Sequence, residues 1–241
     1  MISWDGDRVS TSDSVAVDSP LSGAALRDSY AEAVGALTLG LARWRENAVR
    51  VGPLVMLRFG EPQVGPNFVE WPIEGGLLAH RGGHWRIEAK DGKVEATAEH
   101  HRPAIPRPIY DATHLQLHQL LTHLYLLRVR GASPSPGADC PPEDRFRAAA
   151  VDVAFCLTLT GLTGRRRTRR ALLIAAAYHV ACWSLTGRTL GGLVMRERVV
   201  AIDGSRPTVT QSMFRLALLP LSWIVSRPVH DELAATRVIR D

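Results

Sequence analysis

The chain has 241 residues, 46% of them hydrophobic, which is enough apolar material for one or two folded domains. Its net charge of +5 is unevenly placed: residues 141–241 carry +7 and residues 1–140 carry −2, with Arg outnumbering Lys 27 to 2. The basic surplus therefore accompanies the most apolar part of the chain, a pattern that suits anionic lipid head groups better than nucleic acid. The three cysteines, Cys140, Cys156 and Cys182, show no CxxC spacing, which argues against a disulfide framework or a structural zinc site.

The stretch Met1-Ile-Ser-Trp-Asp-Gly-Asp lacks the basic start and apolar core of a signal peptide, so the N-terminal domain is expected in the cytoplasm. Residues 1–20 are polar and acidic, with one strand-like stretch around Val15–Val17. Residues 24–48 read as helix, because Ala25, Leu26, Tyr30, Ala33, Val34, Leu37 and Leu41 follow helical spacing behind Ser22 as an N-cap.

From Ala48 the apolar period changes to two. The spacing predicts strands at Ala48–Val51, Leu54–Phe59, Val69–Ile73, Trp85–Ala89 and Val94–His100. Asp91-Gly92 between two alternating stretches is a hairpin signal. The result is an antiparallel meander with Trp71 and Trp85 as core or pocket-wall residues. Pro103–Pro108 is a stiff connector, and Tyr110 to Arg128 is a long leucine-rich helix that packs across the sheet. This order of strand, helix, meander and long helix over residues 12–130 resembles the helix-grip layout of the START and polyketide-cyclase-like group. That resemblance implies a cavity for an apolar ligand.

Gly131 to Pro142 is rich in Pro, Gly and Ser and reads as a linker. The domains are therefore expected at 1–130 (α+β), 131–142 (linker) and 143–241 (an all-α, membrane-associated module with a short β-turn insertion). The last part holds three apolar runs: Ala148–Leu162, Ala171–Leu185 and Met213–Val225. They are shorter than the roughly 20 residues of a spanning helix unless flanking Arg side chains snorkel to the head groups. Pro220 interrupts the third. Asp152 lies within the first, and an ionised carboxylate in an apolar setting needs a partner. Arg145, seven residues earlier and on the same helical face, is one; Arg147 and Arg215 are others.

Residues 144–240 resemble the RDD family of membrane proteins. The residues that carry the resemblance are Arg145-Phe-Arg-Ala-Ala-Ala-Val-Asp152, then Gly187-Arg-Thr-Leu-Gly191, Arg198 to Gly204, Pro207 and Arg215. His230-Asp231 with Thr236-Arg-Val238 closes the pattern. One departure is Gly192, where the family has Lys. The resemblance implies a membrane protein of undefined activity, with transport or ion exchange through a network of Arg145, Asp152, Arg215 and Asp231. It places the protein in the cell membrane, with lipids as partners and self-association of the short helices. The five arginines Arg165, Arg166, Arg167, Arg169 and Arg170 form a loop between the first two runs and are expected to contact lipid head groups rather than nucleic acid.

Other constellations are weaker. Asp111, His114 and His118 share a helical face but lack the HExxH pattern, so a rim of polar residues is favoured over a metal site. No nucleophile elbow, catalytic triad or carboxylate pair is present, so neither an enzyme nor a bound cofactor is expected. Two further readings stay open: a membrane-docked protein that holds an apolar ligand in its N-terminal domain, and a wholly soluble protein whose C-terminal part has become a helical subdomain.

Overall fold

The structure is a computed structural model. It describes residues 1–131, 137–160, 165–225 and 227–240, with the side chains of all of these except 159–160, 165–168 and 223. The chain divides into two compact units, residues 1–130 and 131–241.

Unit 1 opens on a hairpin, β1 (Ile2–Asp5) and β2 (Arg8–Ala16), turned at Gly6 with φ +60°. The sequence reading finds only its end, because polar Thr11 and Asp13 take the inward positions between Val9 and Val15, so no apolar alternation marks the strand. Helix α1 (Gly23–Leu37) starts at Ser22, whose Oγ accepts from the Ala25 N–H at 3.2 Å. It stops well short of residue 48. The Thr38 hydroxyl donates back to the Val34 carbonyl and accepts from the Ala42 N–H. Leu39 and Gly40 then turn left-handed, at φ +56° and +78°, and the chain reverses into a strand.

The meander follows as β3 (Ala42–Arg45), β4 (Ala48–Val51), β5 (Leu54–Phe59), β6 (Gln63–Val64), β7 (Phe68–Gly75), β8 (Ala79–His80), β9 (His84–Lys90) and β10 (Lys93–Pro103). Strand order is β1-β2-β10-β9-β7-β5-β4-β3, with β6 on β7 and β8 on β10. Every pairing is antiparallel. Asp91 and Gly92 both take positive φ, as the two-residue hairpin turn requires. A short α2 (Arg107–Ile109) and a π-helical turn (Tyr110–His114) lead into α3 (Leu115–Arg130).

Alternate residues of the sheet, Val69, Trp71, Trp85, Ile87, Val94 and Ala96, are buried. Helices α1 and α3 pack on the sheet and on each other. The Tyr30 ring of α1 sits 5.4–5.7 Å from those of Trp44, Trp71, Trp85 and Tyr125. Trp71 and Trp85 are thus core residues.

Unit 2 contains α4 (Pro142–Thr160), α5 (Arg165–Leu185), α6 (Leu190–Met195), β11 (Glu197–Ala201), α7 (Val209–Val225), α8 (Val229–Leu233) and β12 (Thr236–Arg240). It is not all-α: β11 and β12 form an antiparallel ladder from Glu197↔Arg240 to Ala201↔Thr236. The end of the sequence-predicted linker joins them, since Cys140 N–H donates to the Val238 carbonyl and Arg240 N–H to that of Ala138. Residues 132–136 of that linker lie outside the described residues.

No described helix is long and apolar enough to cross a membrane, which corrects the expectation of transmembrane helices. The reason is local. Helix α4 carries Glu143, Asp144, Arg145, Arg147 and Asp152; α5 begins with five arginines; α7 has 17 residues, with Arg215 and Pro220 among them. The arginine cluster is also not a loop, because Arg165–Arg170 form the opening turns of α5.

Candidate functional site

The polar centre of unit 2 is Asp231, on α8. Its Oδ1 accepts from Arg215 Nε of α7 at 2.9 Å and from the Thr236 hydroxyl of β12 at 2.9 Å. Its Oδ2 pairs with Arg145 NH2 of α4. Four elements therefore meet on one carboxylate. Asp231 and Arg215 are both buried, at 7% and 4% exposure. Burial pushes the Asp231 carboxyl up, but the neighbouring charges, Arg215 foremost, outweigh it and hold the pKa down at about 2. The carboxylate stays ionised across the physiological range.

Each guanidinium is oriented by further contacts. Arg215 lies over the Trp183 ring at 4.3 Å, so its unbonded face is covered by an aromatic π-system. Arg145 NH2 also reaches His230 Nε2 at 3.5 Å. The other ring nitrogen of His230, Nδ1, bonds the Ser222 hydroxyl at 2.7 Å, and the His230 N–H donates to that same oxygen. Burial foremost holds the His230 imidazole near pKa 4, and hence neutral at pH 7.

Asp152 occupies a separate node. It is buried, and its Oδ1 accepts from the Tyr178 hydroxyl at 2.9 Å and from the Gly191 N–H at 2.8 Å. Its Oδ2 faces His179 Nε2 at 4.0 Å. The His179 Nδ1 bonds the Ala175 carbonyl, which only accepts, so Nδ1 carries a proton and Nε2 is the nitrogen turned toward Asp152. His179 and Trp183 stand edge to face at 5.2 Å. The Asp152 node thus connects through two rings to Arg215 and Asp231.

The structure brings Arg145, Arg215 and Asp231 together and sets Asp152 apart. Arg145 is not the partner of Asp152. Seven residues place both side chains on one helical face but about 10 Å apart along the axis, and Arg145 turns to Asp231 instead. Arg169 and Arg170 are exposed, while the side chains of Arg165, Arg166 and Arg167 lie outside the described residues. Tyr178, His179, Trp183 and Ser222 were missed in the sequence. The signal that marks them is the one that marks Asp152, a polar or amphipathic side chain inside an apolar run.

In unit 1, His114 and His118 stack at 6.5 Å, and His118 Nε2 lies 3.4 Å from the Thr11 hydroxyl. Among the described residues no group of His, Cys, Asp or Glu has the arrangement to hold a metal ion.

Residues 170–230 match the model of the RDD family. Unit 2 carries an RDD-family region. No curated protein and no solved structure matches the chain. The RDD match spans Tyr178, His179, Trp183, Gly191, Arg215 and His230, and leaves Arg145, Asp152, Asp231 and Thr236 outside its bounds. Those four enter the network by the geometry described above.

Proposed function

We propose that this is a membrane-associated RDD-family protein whose second unit sits in or at the bilayer and holds its polar network away from lipid. The observation that carries this reading is an inverted polarity. Phe146, Leu172, Leu173, Leu185, Val194 and Ile224 of unit 2 are each more than half exposed. The same unit buries Asp144, Asp152, Gln211, Arg215, His230 and Asp231. A unit in water arranges these the other way round, and exposed apolar surface on this scale marks contact with a membrane or another protein. No described helix is long and apolar enough to span, so the unit lies partly inserted, and self-association buries the apolar surface that lipid leaves uncovered. Unit 1 is proposed to stand on the cytoplasmic side.

Transport or ion exchange is the activity we propose for the network. Its two carboxylates have different parts in it. Asp231 is locked between two guanidiniums and serves as fixed charge. Among the described residues no guanidinium pairs with Asp152, and one of its oxygens turns toward His179, so a proton or cation is exchanged there. Cell fractionation with a carbonate wash tests the membrane reading: the chain should stay with the pellet, and recovery in the soluble fraction overturns it. Flux through reconstituted liposomes tests the second step: Asp152→Asn should abolish it, and unchanged flux by a folded variant removes Asp152 from the path.

A further inference from the structure

Strand β3 forms one edge of the unit 1 sheet, and its hairpin with β4 carries an arrangement that stability alone disfavours. Arg43 lies directly opposite Arg50 in the register, and Arg45 lies opposite Ala48, which in turn faces Arg58 of β5. Cross-strand partners share a face, so four guanidiniums crowd one face of three strands, and like charges placed opposite one another destabilise a sheet. Arg50 is paired with Glu46 at 2.9 Å, a residue whose side chain is largely exposed. Arg43, Arg45 and Arg58 form no ion pair among the described residues. The other face of the hairpin is accounted for, since Trp44 packs on Phe59 and Trp71 in the core.

The cationic face borders an open groove between the α1–β3 turn and the β4–β5 turn. Leu41 and Leu54, at these two turns, are 71% and 52% exposed. Guanidiniums beside exposed aliphatic side chains match the two layers of a bilayer surface, with phosphates outside and acyl chains beneath. Nucleic acid is a poorer fit: its single-stranded forms need exposed aromatic platforms, and Trp44 is turned into the core.

We infer that the β3–β4 hairpin, with Arg43, Arg45, Arg50 and Arg58, is a docking site for anionic phospholipid head groups. This goes beyond the membrane residence proposed for unit 2 and is separable from it. Apolar insertion is insensitive to salt, whereas a phosphate–guanidinium contact at a surface is screened within about 10 Å at 0.1 M salt.

The test is hydrogen exchange of residues 42–51 in the full chain, held in nanodiscs of phosphatidylcholine alone or mixed with phosphatidylglycerol. The same measurement on full chain mixed with vesicles of the two compositions covers the case in which unit 2 does not insert. With the anionic lipid, exchange should slow by about tenfold at low salt, and the difference should vanish at high salt. The triple variant R43Q/R45Q/R58Q should lose the difference with a melting temperature unchanged or raised, and R43K/R45K/R58K should keep most of it. Equal exchange in the two lipids overturns the inference, as does protection that survives in the glutamine variant. Equal protection by inorganic phosphate or by single-stranded RNA, added to phosphatidylcholine alone, also overturns it by reassigning the site.

Discussion

Asp152 accepts the backbone N–H of Gly191, joining the middle of α4 to the first turn of α6. The Tyr178 hydroxyl closes the arrangement, donating to Asp152 and accepting from the Leu190 N–H at 2.6 Å. Two backbone donors at a helix start are thereby satisfied from outside the helix. Asp152→Asn keeps an acceptor of the same shape and should cost about 1 kcal/mol or less. Asp152→Leu strands the buried Gly191 N–H and takes the acceptor from the half-buried Tyr178 hydroxyl, and should cost roughly 1–3 kcal/mol. Thermal unfolding of the two variants in one detergent decides it. Equal losses show that the bonds to Gly191 and Tyr178 carry no weight.

The contact between α6 and α4 leaves no room for a methyl group at Gly191. A Cβ there would sit 2.0 Å from the Ala148 carbonyl oxygen and 2.9 Å from its Cα, both backbone atoms that cannot swing away. Gly191→Ala should therefore lower stability by about 1–3 kcal/mol through overpacking of α6 on α4. Gly35→Ala, in α1, meets nothing nearer than 3.9 Å and serves as the control, with a melting point unchanged or raised.

What was legible in the sequence follows from what leaves a local trace. The β9–β10 hairpin was readable because Asp91-Gly92 meets a turn requirement within four residues. Asp152 was readable because a carboxylate in an apolar run is conspicuous. Its partners were not, since Tyr178 and Gly191 lie 26 and 39 residues away and helical periodicity relates only neighbours on one face. The same limit made Arg145 look like the partner of Asp152 rather than of Asp231. The end of α1 was also misplaced: Leu41 continues the apolar spacing, and the stop at Thr38 depends on side-chain bonds that spacing does not report. Strand β1 pairs with β2, and β12 with β11, without an apolar alternation that betrays them.

Removing Asp231 should be the most damaging single change in unit 2. Asp231→Ala leaves Arg215 buried with no counter-charge and Arg145 without its partner, at a cost of about 3–5 kcal/mol. Pairing it with Arg215→Met replaces the buried ion pair by apolar volume and should recover much of that loss. A double-mutant cycle on urea unfolding measures the coupling, and additive losses refute the pairing. Arg215→Lys should not rescue, because an ammonium lacks both the planar face held over Trp183 and the Nε–H donated to Asp231.

Unit 1 should lose stability in mild acid through its histidines. Burial holds His101 down at about 4 and His118 at about 3, and it lowers His114 as well; their ordinary value is 6.5. These folded-state values lie below the unfolded one. As pH falls below 6.5, the unfolded chain takes up protons that the folded unit refuses, so stability is full above pH 6.5 and declines steadily toward pH 4. Across two pH units and at least two such groups, the melting midpoint should fall on the order of 10 °C between pH 7 and pH 4.5. His118, packed edge-on against Trp85 at 5.3 Å, allows a specific check. His118→Phe keeps a ring in that contact without a titrating group. It should flatten the slope of the unit 1 transition with pH, followed by tryptophan emission. A slope identical to that of the unsubstituted chain assigns the acid sensitivity elsewhere.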